Sequence, residues 1–204
     1  MTFMKNRLIK LFLGNTLASF AITCTIQAGL GCFPQTAANI AISNWLGISI
    51  GMAGFLIEII LLSIATYKGE GIGLTSIVNA TYGSLLIDVF MAILPKNPFL
   101  IIGLLLLPIA WSFMGSAGFG DTGSNTLMNA ILKNTKLNIS IVRGIQELIL
   151  LTTGFLGARA FISPFTIMLM VGLGPLLQIV YKWLDFDPTA IKHNYIIKQR
   201  TKIN

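Results

Sequence analysis

Two glutamates that lie in strongly apolar stretches are the residues of this chain best suited to chemistry. Glu58 stands within Gly54–Leu62 and Glu147 within Gly144–Leu151, and the two acids are 89 residues apart. A carboxylate at the centre of a membrane span costs about 2.5–3.5 kcal/mol on insertion scales, so it must be protonated, paired or hydrated. Both acids are therefore candidates for a proton or substrate pathway, and the alternative is a protonated, hydrogen-bonded acid in the core.

Arg143 is the basic residue that bears most directly on these two acids. It precedes Glu147 by four residues, so on a helix the two form either a structural ion pair or part of the same pathway. No basic residue occurs between Lys10 and Lys68. A basic partner for Glu58 must therefore come from elsewhere in the chain, and Arg143 is the best candidate.

Three further polar residues belong to the candidate pathway. Thr75 and Asn79 are four residues apart and share a helix face, where they either bond to a neighbouring helix or line the pathway. Asp121 directly follows a glycine in a polar stretch, and we expect it to cap a helix or to join the pathway.

The composition indicates a membrane protein. Of the 204 residues, 54% are hydrophobic and 10% are charged, whereas soluble domains carry about 25% charged residues. No charged residue occurs from Leu11 through Ile57. The lipid bilayer is therefore the expected partner, and basic patches with interleaved aromatic side chains, as in nucleic-acid binders, are missing.

Six membrane spans are predicted from the apolar stretches, each close to the 20 residues that a span needs. They cover about Leu11–Ala28, Gly51–Tyr67, Leu74–Leu94, Phe99–Ala117, Ile141–Ala160 and Phe165–Leu184. The predicted fold class is thus an all-α polytopic membrane protein, with residues 1–204 as a single membrane domain.

The basic residues predict the orientation of these spans. The net charge is +7, and eight of the fourteen basic residues lie in or directly beside the two terminal tails: Lys5, Arg7, Lys10, Lys182, Lys192, Lys198, Arg200 and Lys202. By the positive-inside rule both termini are expected in the cytoplasm, with residues 185–204 as a basic cytoplasmic tail. An even number of spans agrees with this placement.

An offset of 89 residues predicts that the chain is duplicated. Gly29-Leu30-Gly31 recurs as Gly118-Phe119-Gly120, Gly83 recurs as Gly172, and Glu58 recurs as Glu147. Residues 8–95 and 98–184 would then be two repeats of three spans each. Because an odd number of spans reverses direction, the repeats are expected to be inverted about an axis in the membrane plane, as in membrane carriers.

Two short segments occupy the same place in each repeat, directly after the paired glycines. They are Cys32–Gly47 and Asp121–Lys136, and each is long enough for a helix of about three turns. Pro34 suits the first turn of the first helix, and Asp121, Thr122 or Ser124 can cap the second. The segments are expected to be either re-entrant or interfacial, and if re-entrant their N-terminal ends could meet a ligand near the centre. Backbone breaks are expected at Gly29, Gly31, Gly118 and Gly120.

The chain resembles the YczE-like bacterial integral membrane proteins, relatives of the YitT group, from about Arg7 to Leu184. The motifs that carry the resemblance include Gly29–Pro34, Gly47–Gly51, Gly71–Asn79 with Gly83 and Ile87-Asp88, Gly118–Asp121, Ile139–Arg143 with Glu147, and Gly172–Pro175. In that family the proline is usually followed by an aromatic residue and an acid, where this chain has Gln35 and Thr36. The resemblance implies a multi-pass protein of the bacterial cytoplasmic membrane.

No enzyme signature occurs in the sequence. There is no HExxH, GxSxG or GxxxxGK[ST] pattern, and the single histidine, His193, lies in the basic tail. We therefore expect no catalytic residue, no metal site and no cofactor. The leading hypothesis is a small-molecule permease or secondary transporter, and the alternative is a non-transporting membrane scaffold or accessory partner of another protein or assembly. The sequence leaves open the substrate, any protein partner and self-association.

Overall fold

The computed structural model describes residues 2–137, 139–183 and 195–197, and 81% of the chain is helical. The helices are α1 Thr2–Ala28, α2 Pro34–Leu46, α3 Ile50–Tyr67, α4 Leu74–Val78, α5 Ser84–Ile93, α6 Leu106–Ser116, α7 Gly123–Asn134, α8 Ile139–Gly157 and α9 Pro164–Trp183. A five-residue π-helical turn, Asn79–Gly83, joins α4 to α5. Short 3-10 segments cover Pro98–Leu105 and Arg159–Phe161. The prediction of an all-α fold is confirmed.

Three helical segments among the described residues are long and apolar enough to cross a membrane. They are Met4–Ala28, Ile50–Tyr67 and Leu74–Ile93, which coincide with the first three predicted spans. The C-terminal end of the sixth predicted span, Leu184, lies outside the described residues, as does most of the tail 185–204. The long apolar helices are those of a membrane protein.

The fourth predicted span is not one continuous α-helix. It begins as the 3-10 segment Pro98–Leu105, and α6 takes over only at Leu106. Pro108 explains this, because proline has no N–H to give to the carbonyl of Leu104, and its ring would collide with that carbonyl in an α-helix. A shorter apolar helix, Gly103–Ser116, is what remains of the predicted span.

The short helices α2 and α7 form where the sequence predicts them, with 13 and 12 residues. Pro34 lies in the first turn of α2, as expected. The N-cap position of α7 is Thr122, one of the three predicted candidates, and its side chain makes no capping hydrogen bond. The first turn of α7 therefore needs another acceptor.

The four glycines predicted to break the backbone all have positive φ. The angles are 67° at Gly29 and 68° at Gly118, and 127° at Gly31 and 93° at Gly120. Residues with a side chain rarely adopt positive φ, so glycine is required at these four positions. Both turns lie directly before a short helix, and they set the direction in which α2 and α7 start.

The first helices of the two halves, α1 and α6, pack against each other in an antiparallel sense. Arg7, near the start of α1, donates to the carbonyls of Ala117 and Gly118 just after α6. Further along α1, Cys24 lies beside Gly103, which precedes α6. The start of α1 therefore contacts the end of α6, and the end of α1 contacts the segment before α6.

The short helices pack across the two halves, α2 against α8 and α7 against α3. Small residues permit the close approach of α2 and α8. A Cβ atom on Gly154 would lie 2.6 Å from that of Ala37, and one on Gly157 would lie 2.7 Å from that of Ala41. Small residues at such positions are typical of helix contacts inside membranes.

A short antiparallel pairing closes one end of the bundle. Strand β1, Ile72–Gly73, pairs with β2, Tyr195–Ile197. Thr75 N–H then bonds to the carbonyl of Phe119 at 3.1 Å, and the Arg7 guanidinium lies 4.4 Å from the centre of the Phe119 ring. The start of α1, the turn before α7 and a segment near the C-terminus thus lie at the same end.

Candidate functional site

Glu58 lies in the middle of α3 and its side chain is buried, with 4% exposed. One carboxylate oxygen, Oε2, accepts the backbone N–H of Gly123 at 2.7 Å. The other, Oε1, accepts the side-chain amide of Gln35 at 3.1 Å. The side chain of Asn79, in the π-helical turn, lies close to this carboxylate. Glu58 therefore joins α3 to α2 and to α7, beside the π turn.

The carboxylate of Glu58 supplies the acceptor that the start of α7 lacks. A helix N-terminus has free N–H groups and a partial positive charge, which a carboxylate complements. The contact is close enough that a Cβ atom on Gly123 would collide with Oε2 of Glu58. Glycine at position 123 is thus required by the acid.

The N-terminal ends of the two short helices meet beside Glu58. Gln35 is the second residue of α2 and Ser124 the second residue of α7, and the Ser124 hydroxyl donates to Oε1 of Gln35 at 3.0 Å. These two residues are 89 positions apart, the offset seen in the sequence. The amide of Gln35 therefore links Ser124 to Glu58 across the two halves of the chain.

The second acid, Glu147, has a different environment. It forms an ion pair with Arg143 at 2.9 Å, with side-chain exposures of 18% and 38%. Arg143 also donates to Oδ1 of Asn125 at 3.2 Å. Arg143 thus pairs with Glu147, and within the described ranges no ion pair to Glu58 is present.

The remaining predicted site residues, Thr75, Asn79 and Asp121, lie in α4, at the start of the π turn and in the turn before α7. Thr75 is 1% exposed, and its hydroxyl has no hydrogen-bond partner among the described residues. Asn79 is partly exposed and opens the π turn. Asp121 is partly exposed, and its backbone carbonyl accepts the Ser76 hydroxyl at 2.6 Å.

Sequence reasoning missed several polar residues of this region, including Gln35 and the α1 residues Asn15 and Ser19. Asn15, Ser19 and Thr23 are all buried and recur every four residues, so they form one stripe on α1. That four-residue spacing is visible in the sequence and could have identified these polar residues. Nothing in the sequence indicated that Gln35 would reach Glu58.

A groove of about 550 Å³ lies along the C-terminal half of α3, beside β1. Its lining includes Ile59, Leu62, Thr66 and Ile72, and Glu58 is not part of it. The described residues contain no group of three or more His, Cys, Asp and Glu side chains that could hold a metal ion.

A family model matches residues 5–182, and its description is a family of unknown function, DUF6198. The chain belongs to the DUF6198 family. Comparison with curated proteins and with solved structures found no match. The DUF6198 match contains both glycine turns, both short helices and the whole Glu58 cluster. It names neither YczE nor YitT proteins.

Proposed function

We propose that this chain is a small-molecule permease or secondary transporter of the bacterial cytoplasmic membrane, with six spans in two inverted repeats. The observation that carries the proposal is the junction at Glu58. There a buried acid joins the N-terminal ends of two short helices through Gln35 and Ser124, which hold the same place in each repeat. On the sequence motifs, we also propose kinship with the YczE-like proteins.

The antiparallel packing of α1 and α6 supports inversion. These helices are the first spans of the proposed repeats, residues 8–95 and 98–184. Arg7 lies against Ala117, and Cys24 lies against Gly103, so the two helices run in opposite directions. Repeats related by an axis in the membrane plane require this arrangement of equivalent helices.

The contacts of the short helices support a two-fold relation between the halves. Near its end, α2 contacts the end of α8, where Asn44 donates to the carbonyl of Gly157 at 2.9 Å. In the same way α7 contacts the end of α3, where Asn134 donates to the carbonyl of Lys68 at 3.1 Å. A two-fold rotation that exchanges the halves converts the first contact into the second. Gln35 and Ser124 hold equivalent places in the two repeats, so the hydrogen bond between them would lie on the two-fold axis.

The polarity of the junction bears on the class of substrate. The N-terminus of α7, which would otherwise attract anions, is occupied by the Glu58 carboxylate. The cluster therefore presents carboxylate, amide and hydroxyl oxygens rather than free positive charge. This favours a neutral hydrogen-bonding or cationic small molecule over an anionic one.

Access to the junction from both sides of the membrane tests the proposal without knowledge of the substrate. Cys24 and Cys32, both buried and free, are first replaced by alanine. A single cysteine at Gln35, which is partly exposed, is then treated with an impermeant thiol reagent in right-side-out and inside-out vesicles. A transporter with alternating access is labelled from both sides.

The alternative function, a non-transporting scaffold, predicts a different labelling result. A solid interior leaves the cysteine at position 35 unlabelled, or labelled from one side under every condition. A cysteine at Ala38 on the same helix is the matched control, because Ala38 has 0% exposure and should stay unlabelled in both preparations.

A further inference from the structure

We propose that the π turn binds a monovalent alkali cation, Na⁺ being the probe, between the side chains of Asn15, Ser19 and Asn79. This assignment deepens the proposed function and rests on it only in naming the coupling ion of transport. The cation site itself is independent of whether the chain transports anything.

Three side-chain oxygens converge beside Gly83. The position that a Cβ atom on Gly83 would occupy lies 3.3 Å from Oδ1 of Asn15, 3.5 Å from Oδ1 of Asn79 and 3.7 Å from Oγ of Ser19. Glycine leaves this space free. Uncharged oxygens arranged around a small space are the ligands of hard cations, and divalent ions usually require carboxylates among them.

The oxygen of Asn15 is a buried acceptor without a donor. Asn15 is 0% exposed, and within the described part of the chain its Oδ1 has no hydrogen-bond partner. Its Nδ2 donates to the carbonyl of Leu11 at 2.9 Å, which fixes the orientation of the amide. An acceptor that is buried without a partner costs about 1–3 kcal/mol, so an occupant that satisfies it is expected.

The other two ligands are oriented by their own contacts. Ser19 donates its hydroxyl to the carbonyl of Gly83 at 2.8 Å, so its lone pairs remain available. Asn79 lies close to the Glu58 carboxylate, and its Oδ1 lies 3.5 Å from the Cβ position of Gly83. The Asn79 side chain would lie between a cation here and Glu58. The negative charge of the Glu58 carboxylate would balance the charge of the cation.

The π-helical backbone at Asn79–Gly83 and the comparison of the two halves at the 89-residue offset both distinguish the proposed cation site. A π turn interrupts the regular hydrogen bonding of a helix and is common at functional sites, and interrupted helices supply ion sites in transporters. At an offset of 89 residues, Asn15, Ser19 and Asn79 correspond to Leu104, Pro108 and Met168. The second half keeps the glycine, Gly172, without the oxygens, so the site belongs to the first half alone.

Thermal unfolding of the full chain in detergent tests the cation site. NaCl is titrated against choline chloride at constant ionic strength, and the midpoint should rise by about 5 °C or more once Na⁺ exceeds its Kd by about 100-fold. Gly83→Ala fills the space next to the three oxygens and should abolish this rise. Gly144→Ala makes the same change at a helical glycine with nothing within 4 Å and should preserve it.

Each outcome decides the proposal. No Na⁺-dependent rise in the unmodified chain overturns it, whatever the variants do, and so does an equal rise in Gly83→Ala. Asn15→Leu, which installs the residue found at position 104, is a second variant that should lose the rise. If the rise is absent while the cysteine at position 35 is labelled from both sides, the cation assignment fails and the proposed transport stands.

Discussion

Replacing Glu58 separates its hydrogen-bonding role from its charge. Glu58→Leu leaves the buried N–H of Gly123 and the partly buried amide of Gln35 without an acceptor. Each costs about 1–3 kcal/mol, so the free energy of unfolding should fall by about 2–6 kcal/mol. For a chain of this size that lowers the thermal midpoint by roughly 4–24 °C.

Glu58→Gln should be much milder, because the surrounding amides can adapt. The new amide oxygen accepts from Gly123, and the amide of Gln35 turns over to accept the new N–H₂ group. The Ser124 hydroxyl, which now donates to Gln35, rotates and accepts instead. We expect a loss of about 1 kcal/mol or less, because the N–H of Gly123 and the new side-chain amide both have acceptors.

Differential scanning fluorimetry in detergent measures both variants beside Glu147→Leu as the matched control. The Arg143–Glu147 pair is partly exposed, and such pairs contribute about 0.2–1 kcal/mol. If Glu58→Leu unfolds at the same temperature as Glu147→Leu, the structural role of the acid is refuted. In a growth or uptake assay, well-folded Glu58→Gln should be inactive if Glu58 lines the pathway, and normal activity would refute that assignment.

Three further predictions follow from the packing and the topology. Gly123→Ala should destabilise the fold by about 1–3 kcal/mol, since its Cβ collides with Glu58, and thermal unfolding no different from Gly144→Ala would contradict this. Gly154→Ala should destabilise the fold by a similar amount, since its Cβ would lie 2.6 Å from that of Ala37 on α2. Thermal unfolding measures this effect as well, and an unchanged midpoint would show that α2 and α8 are not so closely packed. Reporter fusions after Lys68 and after Lys202 should both report cytoplasm, since β1 and β2 pair at one end of the bundle, and a periplasmic signal at either position would overturn the topology.

The sequence predicts the local elements of this fold well. Glycines in pairs predict the positive-φ turns at Gly29 and Gly118, and Pro34 predicts the start of α2, because these residues act through their own backbone. The fourth predicted span begins as a 3-10 segment before α6, and Pro108 is the sequence signal for this change.

The contacts of the candidate site could not be predicted in the same way. Glu58 was identified from its apolar surroundings, but its partners Gln35 and Gly123 are 23 and 65 residues away. Arg143 is the best candidate that the sequence offers as a basic partner for Glu58, and the structure pairs it with Glu147. Such contacts depend on how whole helices pack together, which no local sequence pattern predicts.

The orientation of the two short helices tests the central claim most directly. If the repeats are inverted and re-entrant, the C-terminal ends of α2 and α7 face opposite sides of the membrane. Single cysteines at Leu46, which is 60% exposed, and at Lys133, whose side chain is 52% exposed, report these ends to an impermeant thiol reagent. We predict labelling of position 46 only from the periplasm and of position 133 only from the cytoplasm, and labelling of both from the same side would contradict the account.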